Sequence, residues 1–358
     1  MKYKYISISI LIFFTGCNKF PEKGTEILWD TYGVPHIFAK NHEDMFYAYG
    51  WSQMRNHGNL LLKLYAQARG QGAEYFGKKY LKSDQWVYTH NVVERSREWL
   101  QLQDIEVRNM LEAFTKGINA YAKSHPNEID EVNKLILPAK PEDCLAHFQR
   151  VVLFHFVTSP QDVKFNPGPM IKDRGSNTWA IGPSRSASGN AMLMANPHLP
   201  WFDMFTWFEA HTVSSDLNAY GAGFVGMPFL GIAFNDYLGW SHTNNVHDGQ
   251  DLYELILKEG GYEWNGGVKS FDIRSEKIKI KDNDGKTRSM EFVIRESVHG
   301  PVVYEKNGKA YALRVVGLDQ PHVFRQYFDM ARATNLEEFQ KAIRQLQNPF
   351  FTIMYADR

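Results

Sequence analysis

The pattern of apolar and polar positions changes character near the middle of the chain. Residues 25–40 (TEILWDTYGVPHIFAK) alternate on both sides of Asp30-Thr31-Tyr32-Gly33, which predicts a β-hairpin with that tetrapeptide as its turn. From Asn41 to about Ala66 the apolar spacing becomes helical, until Gly70, Gly72 and Gly77 break it. Residues 92–123 predict one long charged helix. Pro141-Glu142-Asp143 opens another, running to about Val157, with proline in the first turn and acids at the positive end. Residues 159–175 (SPQDVKFNPGPMIKDRG) hold three prolines and two glycines and read as an exposed linker.

Beyond the linker, strand-like runs dominate: Thr178–Ile181, Ala191–Ala195, Phe205–Thr212, Ile232–Phe234, Leu252–Leu257, Lys277–Lys281, Glu291–Ile294, Val302–Tyr304 and Tyr311–Val316. One helix, Asn335–Leu346, follows, and the apolar run Phe350–Tyr355 reads as a strand entering a turn. A helix-rich half before a strand-rich half predicts an α+β protein with packed antiparallel sheets. A chain stopping inside such a strand leaves an open apolar edge, so the sheet is expected to be incomplete at its C-terminal end.

Of 358 residues, 44% are hydrophobic and 14% aromatic, which excludes disorder. Lys+Arg and Asp+Glu are both 40, and no long run of like charge occurs, so nucleic acid is not an expected partner. The N-terminus reads as a targeting segment: Lys2 and Lys4, then an apolar stretch from Ile6 to Phe14, too short to span a bilayer. The following Phe14-Thr15-Gly16-Cys17 resembles a bacterial lipobox, which implies a signal peptide at 1–16, lipid on Cys17 and a membrane-anchored lipoprotein on the periplasmic side of the cell envelope. An ordinary secreted periplasmic protein is the alternative. With only Cys17 and Cys144 in the chain, a lipidated Cys17 leaves no disulfide, and no zinc motif is present.

The candidate chemistry sits in RGSNTWAIG, residues 174–182. A serine hydroxyl is a weak nucleophile without an adjacent base. If the chain cut itself between Gly175 and Ser176, the new α-amine of Ser176 would serve, because its reference pKa of about 7.7–8.0 leaves a useful neutral fraction near pH 7. The 184–190 turn leads into a second strand ending at Asn196-Pro197-His198, so an antiparallel hairpin brings His198 back beside Ser176. Read alone, Gly-Ser is equally a turn, and His198 a strand-end histidine bonded to backbone. No G-x-S-x-G elbow supports a conventional Ser-His-Asp hydrolase.

The run SNTWAIGPSRSASGNAMLMANPHLPW, with WDTYGVPHIFA and ARGQGAEYFG in the first half, resembles the penicillin acylase family of N-terminal nucleophile hydrolases from about Glu26 to Arg358. The resemblance implies a four-layer αββα sandwich. It divides the chain into an α-subunit-like region (17–158), a spacer (159–175) and the start of the β subunit (176–358), with both chains associated after cleavage. It implies hydrolysis of the amide of an N-acylated small molecule, such as a β-lactam, a lipopeptide or an acyl-homoserine lactone. Ser176 is then nucleophile and base, and the Asn244 main-chain N–H, in LGWSHTNNVHDGQD, an oxyanion donor. His198 matches the branch acting on cephalosporin side chains, aculeacin-type lipopeptides and acyl-homoserine lactones; it would bond to the Ser176 amine or hydroxyl and assist proton transfer. Phe156, Leu199, Ile232 and His242 are the acyl-pocket candidates, each with an ordinary core reading beside it. No cofactor is needed for the chemistry. A family calcium site matches Asp248, Gln250 and Asp251, with Asp162 near a third carboxylate. The family's second oxyanion donor, an asparagine, and an arginine near the nucleophile would fall beyond Arg358. The rival expectations are therefore a lipoprotein that binds acyl compounds without catalysis, or a truncated pseudo-enzyme.

Overall fold

The computed structural model describes residues 24–160, 175–245 and 247–358. The signal segment, Cys17 and most of the spacer, including Asp162, lie outside the described residues. Among the described residues no helix is long and apolar enough to cross a membrane.

The N-terminal hairpin forms as expected, with β1 (Glu26–Trp29) antiparallel to β2 (Pro35–Phe38). Asp30 Oδ1 accepts the N–H groups of Tyr32 and Val34 at 2.8 and 2.9 Å, and Gly33 supplies the positive φ of the turn. Helix α1 (His42–Ala68) starts on an Asn41 cap, whose side chain accepts the Asp44 N–H. The short α2 (Gly72–Phe76) and α3 (Leu81–Thr89) follow.

The single helix expected over 92–123 is two, α4 (Val92–Leu102) and α5 (Ile105–Ser124). Asp104 caps α5 by accepting the Val107 N–H, a local bond that outcompetes continuation of the helix. After α6 (Glu131–Lys134), α7 (Pro141–Phe148) runs on as a π-helical segment, Gln149–Val157. The buried Asp143 takes a two-pronged contact from Arg69 at 2.7 and 2.6 Å, tying the end of α1 to α7.

The second half adds β3 (Gly175–Ile181), β4 (Met192–His198), β5 (Trp207–Val213), β6 (Asn218–Phe224), β7 (Ile232–Asn235) and β8 (Leu238–Asn244). A side sheet follows: β9 (Gln250–Lys258), β10 (Gly261–Trp264), β11 (Gly267–Lys269), β12 (Asp272–Lys281), β13 (Thr287–Ser297), β14 (Gly300–Lys306) and β15 (Lys309–Val315). Helices α8 (Val323–Arg332) and α9 (Leu336–Ile343) precede β16 (Phe351–Asp357).

The central sheet runs β1-β2-β5-β6-β7-β8-β16 and is antiparallel except where β2 meets β5. The side sheet is antiparallel throughout, and its strand β12 packs on α2 and α3. The molecule is thus a mixed α+β fold with antiparallel sheets. The hairpin β3–β4 forms a second layer over β8 and β16. Successive residues of β8 separate the two faces: Gly239 meets Leu193 of the hairpin, while Trp240 packs against Phe339 of α9. Among the described residues the hairpin's outer face stays uncovered, with Trp179, Met192 and Met194 exposed, and β16 is an edge strand.

The boundary at the spacer is not a boundary of the core. One hydrophobic cluster runs from Tyr49 and Phe114 in the first half to Phe208, Trp240 and Met330 in the second. Strand β6 (NAYGAGF) was not legible because glycines dilute its pattern. They are required there: a Cβ on Gly221 would sit 2.2 Å from the Ile232 carbonyl oxygen, and one on Gly223 2.1 Å from that of Phe229. The same device seats α1 against α5. A Cβ on Gly50 would fall 2.0 Å from the Phe114 oxygen, and one on Gly117 1.9 Å from the Tyr47 oxygen. Gly117→Ala should therefore cost on the order of 2–3 kcal/mol by urea unfolding. Gly182→Ala, with nothing within 4 Å, should stay within about 0.5 kcal/mol. Equal effects would show that the helix contact yields to a methyl group.

Candidate active site around Ser176

The register of β3 and β4 pairs Gly175 with His198, Ser176 with Pro197 and Asn177 with Asn196. Period two then sorts the side chains. Ser176 and Pro197 belong to the inner set and both line a cavity beneath the hairpin; Asn177, Asn196 and His198 are exposed on the outer set. Ser176 is anchored on β8, where Thr243 Oγ1 donates to its carbonyl at 3.0 Å. The Ser176 hydroxyl donates to the Gly175 carbonyl at 2.8 Å, so it lies beside the carbonyl of the peptide bond that precedes it.

His198 does not meet the Ser176 hydroxyl as expected. Its Nε2 lies 3.3 Å from Asn177 Nδ2 and 3.1 Å from Asn196 Nδ2. Which of these groups donates follows from the tautomer of the ring. Nδ1 faces Gly175, 3.7 Å from where a Cβ there would stand. The physical reason is the pleat: a residue paired with Gly175 projects to the face opposite Ser176. Among the described residues no imidazole bonds to the Ser176 hydroxyl, so the uncut chain holds no Ser-His pair at this point.

The cavity holding Ser176 measures about 60 Å³ and is predominantly apolar. Phe156, Leu199, Ile232 and His242 all line it, as does Asn244 at the end of β8. Five aromatic residues complete the wall that the sequence reading did not reach: Trp207, Phe224, Phe229, Tyr327 and Phe351. Tyr327 comes from α8, which was not anticipated, and Phe229 from the loop joining β6 to β7. Phe351 pairs with Asn244 across the β8–β16 register.

His242 packs edge-on to Tyr327 at 5.5 Å, and neither of its ring nitrogens finds a partner. Burial alone lowers its pKa to about 4, so the ring is neutral at pH 7.

The calcium candidates Asp248, Gln250 and Asp251 share a separate, open cleft, in which Arg314 stands opposite Asp251 in the β15–β9 register. Among the described residues no three His, Cys, Asp or Glu side chains converge as a metal cage. Asp162 lies outside them, and no step below passes through an ion.

The family model described as Penicillin amidase matches residues 24–358, and the chain belongs to that family. Among curated proteins it is similar to the acyl-homoserine lactone acylase PvdQ of Pseudomonas fluorescens (strain Pf0-1), 25% identical over 91% of this chain and 48% of that protein. The PvdQ of Pseudomonas putida is 25% identical over 99% of this chain and 52% of its own length. The acyl-homoserine lactone acylase QuiP of Pseudomonas fluorescens (strain Pf0-1) is 24% identical over 91% and 48%. The chain thus spans about half the length of the curated relatives it matches. Among solved structures, the thermostable penicillin G acylase from Alcaligenes faecalis matches 50% of this chain and 33% of its own, with 21% identity and a TM-score of 0.46.

The unpartnered His242 generates a stability prediction. Its folded pKa lies below the unfolded value of about 6.5, so its contribution is fully present above pH 6.5 and is lost as pH falls toward 4. His242→Phe should stabilise the chain by about 1 kcal/mol at pH 7, since it removes buried polar atoms without partners. Its advantage should grow by up to about 1.4 kcal/mol per pH unit on acidification to pH 5. Urea unfolding at both pH values measures this; a pH-independent gap would mean that His242 is not held neutral by burial.

Proposed function

We propose that this chain carries the nucleophile half of an acylase that hydrolyses the amide of an N-acylated small molecule. The observation that supports it most is the Ser176 hydroxyl: it belongs to a residue lining a largely apolar cavity and touches the carbonyl of the Gly175–Ser176 peptide, in a member of the penicillin amidase family. Self-cleavage begins when Ser176 Oγ attacks the Gly175 carbonyl carbon. The C–N bond breaks as the nitrogen takes up a proton, leaving an ester that water hydrolyses. This frees the Gly175 carboxylate and the α-amine of Ser176.

In turnover the same Oγ attacks the substrate amide. The α-amine, directly or through water, accepts the hydroxyl proton and delivers it to the leaving amine. The acyl group rests as an ester on Ser176 until water releases the acid. The Asn244 main-chain N–H stabilises the oxyanion, and one such donor is worth about 10²–10³ in rate. His198 acts from the Gly175 side, with its Nδ1 toward Gly175, beside the place where the new amine forms. The α and β chains stay together through the shared core.

The lining favours an aliphatic acyl group over a polar one. The relatives named as acyl-homoserine lactone acylases support that direction. Acyl-homoserine lactones, lipopeptides and β-lactams with acyl side chains are the candidate substrates.

The test is an intact-mass measurement on the expressed chain beside Ser176→Ala. A new chain beginning at Ser176, absent from the variant, is expected. A folded chain that stays whole would sink self-cleavage and leave acyl binding without catalysis as the reading. The lipoprotein assignment extends the proposal to the envelope. Cys17→Ser should move the protein from the membrane to the soluble periplasmic fraction, and an unchanged distribution would remove the anchor.

A further inference from the structure

A second apolar cavity, about 40 Å³, lies beyond the one that holds Ser176. Its walls come from α1, α5, α8 and the β5–β6 pair, with Met45, Met110, Leu217, Phe324 and Phe328 among them. Two side chains face both cavities, Phe229 and Tyr327. Their rings stack at 4.1 Å and 14°, so the wall between the chambers is one pair of parallel rings.

The two rings are held differently. Tyr327 is buried, its hydroxyl accepts from Asn348 Nδ2 at 2.7 Å, and His242 packs on its edge. Phe229 is half-buried and has only ring contacts, while the backbone beside it is fixed. Gln53 holds the Met227 carbonyl at 3.0 Å and the Gly226 N–H at 2.8 Å. The Phe229 side chain can therefore turn without breaking a hydrogen bond, though it leaves the rings of Phe148, Phe324 and Tyr327 when it does.

We propose that Phe229 is the length-setting residue of a two-chamber acyl channel. The chamber at Ser176 takes the first carbons of a straight alkyl chain, and the chamber beyond Phe229–Tyr327 takes its end. The assignment of the first chamber rests on the acylase reading; the partition itself does not. Each chamber has room on the order of a few water molecules, which suits an unbranched chain. Methionines at Met45, Met110 and Met227 provide walls that adapt to it.

The experiment is titration calorimetry of the whole chain with straight-chain fatty acids from butanoate to tetradecanoate, the product class of the proposed reaction. Each buried methylene should raise affinity about fourfold. In the native chain this gain should falter at the length where the partition must open. Phe229→Ala should remove the break and raise affinity for the longest acids about tenfold relative to butanoate and hexanoate. Ala331→Leu, which fills only the far chamber, should do the reverse and weaken the longest acids alone. Thermal unfolding shows whether each variant is folded, and Phe229→Leu replaces Phe229→Ala if that variant is not. Equal effects on short and long acids, a smooth length series in the native chain, or no binding at any length would overturn the proposal. Binding needs neither self-cleavage nor turnover, so length-dependent binding by a chain that never cuts itself would sink the acylase reading and leave the channel standing.

Discussion

The structure depends on a buried polar clamp between the two halves of the chain. Gln53 of α1, fully buried, gives one hydrogen bond to the loop after β6 and takes another from it, so both ends of its amide are satisfied. Tyr65 donates to the Gly226 carbonyl at 2.8 Å and His147 Nε2 to that of Val225 at 3.0 Å. These bonds pin an irregular loop inside the core, where an unpaired backbone group would cost about 1–3 kcal/mol. They belong to the folded state because all three side chains precede the spacer and the loop follows it. The clamp and the shared apolar cluster make a cut at the spacer compatible with an intact fold.

From the clamp outward, the site is a matter of register. The loop carries Phe229 to the wall of the cavity; β8 carries Thr243 to the Ser176 carbonyl and Asn244 to the cavity mouth. A slip of one residue in β3 would turn Ser176 outward and bring Asn177 in. The turn at 183–190 opposes a slip, with Gly189 in positive φ and Ser186 and Ser188 bonded across it. Inner and outer faces then divide the labour, with an apolar cavity and hydroxyl on one side and the polar trio of Asn177, Asn196 and His198 on the other.

Burial sets the electrostatics of the core. His90 and His147, away from the cavity lining, are pushed down to about 3, and His242 in the lining to about 4, in each case chiefly by desolvation, so these rings stay neutral in ordinary conditions. No permanent charge lines the cavity of Ser176.

Local chemistry made much of this legible in the sequence. The turn at Asp30–Gly33, the helix onset at Asn41, the helix start at Pro141 and the strand after Gly175 follow from side chains acting within a few residues. Even the four pocket candidates could be named from a family pattern. The break at Asp104 required a choice between two helical continuations that periodicity does not separate, whereas the rest depended on contacts distant in sequence. Strand β6 exists because Gly221 and Gly223 let neighbouring backbone approach closely, and a glycine-rich run shows no alternation. The orientation of His198 and the pairing of Phe229 with Tyr327 were decided by register and by the packing of α8. Sequence by itself determined the candidate residues for chemistry and the start of those elements that carry a local signal. Tertiary structure alone decided which faces meet, because side-chain direction follows from pairing and packing across the whole chain.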